Sequence, residues 1–244
     1  MKLFAILAIT LAMTGHANAA CRQALIFALD VSSSVDATEY ALQMNGLAGA
    51  LLDPDVQAVL LSQPQAPISL SVFEWSGRYD QRLVLGWRAI ENKADLLDMS
   101  TTLASQTRPT TTRPTAIGHA LQFAGQQLQK IDCWNLTVDI SGDGKNNDGF
   151  QPAIGKQGAI YDLVTVNGLV IGTDAPSPDR IVENEIGELT SYFRHVVIHG
   201  ADAFIETALG FEDFEAAMKR KLLRELSISV SDTGPFSKAI KVEF

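Results

Sequence analysis

Apolar residues along this 244-residue chain fall into short runs that alternate with stretches of helical spacing. Ala24 to Leu29 is an unbroken apolar run stopped by Asp30, the pattern of a strand buried on both faces. Such strands belong to parallel sheets covered by helices on either side. Asp36 with Glu39 three positions on marks a helix start, and Met44, Leu47, Ala48 and Leu51 carry its apolar face as far as Asp53-Pro54-Asp55. Val56 to Leu61 adds a turn of helix, and Gln63 to Pro67 reads as a loop. Ile68, Leu70, Val72 and Phe73 then open a strand reaching Trp75. Ser76 to Tyr79 turns it into a second short strand around Arg82 to Trp87, which makes a hairpin at one edge of the sheet.

Glu91 to Leu103 again follows helical spacing. The polar stretch Gln106 to Thr115 leads into a helix with Ile117, Leu121, Ala124, Leu128 and Ile131 on one face. Trp134, Leu136, Val138 and Ile140 form a strand that ends at Ser141-Gly142-Asp143-Gly144, with Asn146 to Gly149 as a loop. Beyond it the pattern predicts a helix over Ala153 to Val164, a buried strand over Gly168 to Gly172 and a helix over Ile181 to Tyr192. A last strand over Phe193 to Ile198 and a closing helix carrying Phe211, Phe214, Met218 and Leu222 complete the order. Strands alternating with helices imply an α/β fold: a doubly wound, mostly parallel central sheet flanked by helices, with one antiparallel edge hairpin. One domain is expected over residues 20–227, followed by a weakly alternating C-terminal tail at 228–244.

The first residues change the compartment. Lys2, an apolar stretch too short to span a bilayer and Ala17-Asn18-Ala19 make a secretory signal over residues 1–19, cleaved after Ala19. The mature protein is expected to be periplasmic or secreted. Cys21 lies near the cleavage site, but Asn18 stands where a lipid-attachment site usually carries a large apolar residue. No later stretch reads as a membrane helix. The formal net charge is −9, and removal of Lys2 makes the mature chain one unit more negative. An acidic exported protein without a basic stripe points away from nucleic acid and anionic lipid, and toward cations and cationic surfaces. Cys21 lies nine residues before Asp30 and Cys133 ten before Asp143, so on neighbouring strands they share a height at the far edge of the sheet. A disulfide is expected, worth at most about 4–5 kcal/mol by chain entropy.

Candidate chemistry gathers at the strand ends. Asp30, Ser32 and Ser34 form D-x-S-x-S in a turn that can aim a carboxylate and two hydroxyls at one point. Mg²⁺ wants oxygens at about 2.0–2.1 Å and keeps several waters, so such a set suits a hard cation. On the competing reading the serines cap the next helix and Asp30 fixes the turn. Thr115 stands at a helix start, either as its N-cap or as a cation ligand held through water. Asp139-x-Ser141-x-Asp143-Gly144 looks like the opening of an EF-hand loop, but Phe150 occupies the twelfth position and a strand precedes it, which excludes that site. Asp139 reads instead as a buried structural acid. Glu74 ends its strand aimed at the site or a partner, or else satisfied by Arg78 or Arg82. Arg108 and Arg113 are candidates for gripping an acidic partner.

The constellation Asp30-x-Ser32-x-Ser34, Pro114-Thr115-Ala116-Ile117-Gly118 and Ser141-Gly142-Asp143-Gly144 resembles the von Willebrand factor A (vWA) domain. The match runs over roughly Ala24 to Leu226, and Glu74-Trp75-Ser76-Gly77 and Lys145-Asn146-Asn147 make it similar to that superfamily's exported bacterial branch of unknown function, DUF1194. The resemblance implies a metal-ion-dependent adhesion site (MIDAS) with Asp30, Ser32, Ser34, Thr115 and Asp143 as ligands. It departs from the family pattern at Gly142, where a threonine is usual, and at Pro114, where the approach is often Gly-rich. It further implies a divalent cation, Mg²⁺ first with Mn²⁺ or Ca²⁺ as alternatives, and a protein partner whose acidic side chain completes the metal shell. Glu74, Arg108 and Arg113 would then stand at the partner surface. Two other classes remain on the residues alone. A metal-assisted hydrolase needs an acid or base nearby, yet His16 leaves with the leader, His119 lies inside a helix and His195 and His199 flank a strand. A structural envelope protein would use the fold without the metal. A binding module is the expectation, and an enzyme the lesser one.

Overall fold

A computed structural model describes residues 21–109, 113–172 and 182–231. Residues 1–20, 110–112, 173–181 and 232–244 lie outside the described residues, and with them the expected leader at 1–19 and most of the expected tail. Six strands, β1 (Cys21–Asp30), β2 (Ile68–Trp75), β3 (Gln81–Ile90), β4 (Cys133–Gly142), β5 (Val164–Ile171) and β6 (Ile205–Ala208), form one sheet in the order β3-β2-β1-β4-β5-β6. Neighbours run parallel except β2 and β3, the expected antiparallel hairpin at one edge. Chain order reverses across β1, the switch point at which α/β sheets gather ligands.

The alternation along β1 explains the layers. Leu25, Phe27 and Leu29 face a core built with α1 (Ala37–Leu52), α3 (Lys93–Ala104) and α7 (Phe214–Ser231), while the short helix α2 (Pro54–Leu60) adds Val56 and Leu60. Ala24, Ile26 and Ala28 face a second core under α4 (Ile117–Leu128), closed by Tyr161, Phe193 and Val197. Every side chain from Arg22 to Val31 is buried, as an unbroken apolar run requires. Cys21 pairs in register with Cys133, their Cα atoms 4.6 Å apart, and the expected disulfide joins them. That register carries Asp30 and Asp143 to one edge of the sheet.

Two expected elements differ. The helix expected over Ala153 to Val164 is broken into α5 (Pro152–Gly155) and a 3₁₀ turn at Ala159–Asp162, with Val164 already opening β5. Gly155 packs on the backbone of α4, where an added Cβ would lie 2.1 Å from the Gly118 carbonyl oxygen, so the chain must leave the helix there. The strand expected over Phe193 to Ile198 is a π-helical turn at Phe193–Val197 that prolongs α6 (Val182–Tyr192). Phe193 and Val197, four apart, both point into the core, so a helical period is hidden in a β-branched run. The last strand is β6, four residues at the other edge whose burial is too partial to show as a pattern. The closing helix is present and runs on to Ser231.

Candidate metal centre

At the end of β1 the chain stays with its neighbour for one more bond, Val31 N–H to the Trp75 carbonyl at 2.9 Å, and then turns. Asp30 fixes the turn by accepting the Ser32 N–H on Oδ1 at 2.8 Å. The cap of α1 is Asp36, which accepts from Thr38 and Glu39 while Glu39 accepts the Asp36 N–H. The serines are therefore not needed as caps, and their hydroxyls turn elsewhere. Ser32 Oγ and Ser34 Oγ lie 3.1 Å apart, Ser34 donates to Asp143 Oδ1 at 2.8 Å, and Thr115 Oγ1 donates to Ser32 Oγ at 3.4 Å. All five expected ligand residues thus converge from three segments.

Thr115 reaches this cluster because another residue begins the helix. The N-cap of α4 is Ala116, which has no capping side chain. Its place is taken by the loop after β4: Asn146 Oδ1 accepts the Gly118 N–H at 3.1 Å, and Asn147 Oδ1 accepts the Thr115 N–H at 2.8 Å. The Thr115 carbonyl accepts the N–H groups of Asn147 and Asp148 in return. Arg78 holds the same loop through Asp148, whose carboxyl it pulls down to about 2. In sequence Asn146 and Asn147 are legible as a loop and as part of the family resemblance, but not as the acceptors for the start of α4. Gln43 was missed as well; from inside α1 it donates to the Asp30 carbonyl at 3.0 Å and accepts from Ser141 at 3.2 Å.

Electrostatically the site is short of positive charge. Asp30 is fully buried and Asp143 half-buried. Burial, and after it the negative charge of Asp143, pushes the Asp30 carboxyl well above the usual range, and burial raises Asp143. No Lys or Arg among the described residues forms an ion pair with either. Asp30 Oδ2 is buried without a hydrogen-bond partner, an expensive state for a carboxylate oxygen. A bound cation would resolve it. Two carboxylates and three hydroxyls suit a hard, oxygen-loving ion, and the described residues hold no cluster of three or more His, Cys, Asp or Glu side chains of the kind that forms an all-protein cage. Gly142 has a local reason too: a Cβ there would lie 3.2 Å from Asp30 Oδ2 and 3.5 Å from the Phe193 ring.

The candidate partner residues are engaged within the fold. Glu74 is buried at the end of β2, where it accepts from the Tyr40 hydroxyl and from Arg82 Nε at 2.9 Å, and it lines the floor of the groove beside Arg82. Arg108 donates to the Ser32 carbonyl at 3.1 Å, and Arg113 pairs with Asp80 while its carbonyl accepts the Ser33 N–H at 2.9 Å. Both arginines border the turn. A groove of about 270 Å³ beside them is lined by Tyr79, Gln81, Arg82, Pro109 and Arg113 over Val31. His119 stacks on Phe150 with ring centroids 3.8 Å apart, and His195 and His199 bond the carbonyls of Ser191 and Tyr161.

A doubly wound sheet in this strand order has a vWA-like fold. The chain belongs to the DUF1194 family, a protein family of unknown function, which it matches over residues 20–230. No curated protein matches the sequence. Among solved structures it is similar to proximal thread matrix protein 1 of the mussel byssus, at 18% identity and a TM-score of 0.57 over 85% of this chain and 47% of that one. The chain thus spans about half the length of that neighbour, which also has a structure with zinc in its MIDAS motif. It is likewise similar to a von Willebrand factor type A protein from Catenulispora acidiphila, at 10% identity and a TM-score of 0.55 over 84% of this chain and 43% of that one. BatB from Bacteroides thetaiotaomicron matches at 17% identity and a TM-score of 0.53, over 85% of this chain and 98% of that one.

Proposed function

We propose that this protein is an exported, metal-dependent protein-binding module. The observation that carries the reading is the buried, unpartnered Oδ2 of Asp30 inside a cluster of oxygen side chains drawn from three segments. Asp30, Ser32, Ser34, Thr115 and Asp143 would hold the ion, with Mg²⁺ first and Mn²⁺ or Ca²⁺ as alternatives. When bound, the cation supplies an electrophilic centre that a carboxylate of a partner protein completes. The chain's own residues do the rest. Asn146 and Asn147 hold Thr115 in place, Gln43 holds the Asp30 backbone, and the groove bounded by Tyr79, Arg82 and Arg113 offers surface beside the ion. The disulfide fits an oxidising compartment, and no described helix is long and apolar enough to cross a membrane. The adhesion-type setting is supported by a further structural neighbour, the pilus adhesin SpaC from Lactobacillus rhamnosus, with a TM-score of 0.56.

The test is calorimetric titration of Mg²⁺, Mn²⁺ and Ca²⁺ into the mature protein, beside Asp30→Ala and Asp143→Ala. Saturable binding that disappears in both variants is expected, and it justifies a search for envelope partners captured with Mg²⁺ and released by chelator. A folded wild-type protein that takes up none of the three ions overturns the reading.

A further inference from the structure

The sheet face under α7 is apolar near the metal centre and polar at its other end. Gln23 of β1, Thr137 and Asp139 of β4, and Thr165 and Asn167 of β5 lie on the side where Leu25, Phe27 and Leu169 form core further along. Over them α7 places Lys221, whose Nζ lies 2.6 Å from Asp139 Oδ2 and 3.3 Å from Glu225 Oε2. Asp139, Lys221 and Glu225 are all buried. Beside this triad opens a cavity of about 90 Å³ lined by Gln23, Asn135, Thr137, Asn167, Asp202 and Glu225, room for a few water-sized groups.

The cavity lining carries two acids, Asp202 and Glu225, and no basic residue; Lys221 and Arg224 lie over its Phe204 ring. Gln23 is 1% exposed, and its Nε2 donates to Thr137 Oγ1 at 3.1 Å; Oε1 is left buried with no hydrogen-bond partner. One lysine stands against two buried carboxylates, and Asp202 adds a third acid at the rim. An orphaned acceptor in such a field asks for a group that brings both N–H donors and positive charge. A hard metal ion asks for six or more oxygens around it, whereas a primary ammonium brings three N–H donors and one charge, and a neutral hydroxyl brings no charge.

We propose that this cavity binds a protonated primary amine, carried by a small alkylamine or by a lysine side chain of a partner. Gln23 Oε1 accepts one of its N–H groups, and the Glu225 and Asp202 carboxylates face its charge. The site lies at the opposite end of the strands from Asp30 and stands independently of the metal reading.

The experiment is calorimetric titration of ethylammonium chloride into the mature protein, at constant ionic strength and at a pH above the Glu225 titration. Tetramethylammonium, charged but without N–H groups, and ethanol, neutral, serve as comparators. Saturable binding of ethylammonium is expected, with neither comparator binding and with no change on chelation or in Asp143→Ala. Gln23→Met should weaken it about tenfold, the loss of one hydrogen bond to a charged group, and Asp202→Asn, on the exposed rim, by a smaller factor. Binding of ethylammonium alone assigns the site to free amines; binding of Nα-acetyl-lysine amide as well assigns it to lysine side chains. Absence of saturable binding to folded protein, equal binding of tetramethylammonium, or undiminished binding in Gln23→Met overturns the proposal. If Gln23→Met does not fold, the comparators and Asp202→Asn still decide it.

Discussion

The two ends of the central strands bury acids in opposite ways. At one end Asp30 and Asp143 face each other among hydroxyls, with no basic side chain paired to either among the described residues. At the other, Asp139 and Glu225 close around Lys221. Burial raises both pairs of acids. At the second end burial also works against the Lys221 charge, and the two carboxylates more than offset it, so its pKa is raised. The lesson is one of completeness. The lower cluster, around Lys221, holds one cation of its own against two carboxylates, while the upper one, at Asp30 and Asp143, has no basic partner among the described residues.

Substitution can break this contrast. The largest effect is expected from Lys221→Met, which leaves two buried carboxylates without their cation and should lower unfolding free energy by about 3–5 kcal/mol in urea titrations. A loss under about 1 kcal/mol would show that the acids simply protonate and that the lysine is dispensable. Asp30→Asn is expected to behave oppositely. It keeps an oxygen for the Ser32 N–H and removes a buried negative charge, so its melting temperature in chelator should equal or exceed the wild type. It should also lose the stabilisation that a saturating cation confers, about 2.7 kcal/mol at a hundredfold excess over Kd. A melting temperature in chelator that drops as far as that of Lys221→Met would erase the distinction between the two ends.

The smallest effect sharpens the lower site. Burial first, and then the charge of Asp139, pushes the Glu225 carboxyl from 4.5 to about 7, against the pull of Lys221. The folded protein therefore holds a proton that the unfolded chain releases across that window. Stability from this group is greatest below the unfolded value and declines as pH rises toward 7. Melting curves should show a decline through this window that is flatter in Glu225→Gln; parallel curves would remove Glu225 from the account.

Much of this was legible in the chain itself. The unbroken run before Asp30 fixed a central strand because only a strand with helices on both faces buries every position, and the cysteine spacing placed two strands in register. D-x-S-x-S, Thr115 and Asp143 pointed to one candidate site because an alternating strand-helix order puts all five at strand ends or helix starts, and the vWA resemblance implied their roles. Tertiary structure alone decided the rest. Phe193 to Val197 became helical because two core contacts four residues apart outweighed β-branched propensity. Thr115 was freed from capping because Asn146 and Asn147 reached across from another loop. Of the partners open to Glu74 in sequence, Arg82 is the one it meets, with Tyr40 beside it. Asp139, legible as buried, was matched to Lys221 only when the last helix packed on the sheet. Local pattern records how a segment meets solvent; which distant side chain completes a buried polar group is settled when the layers close.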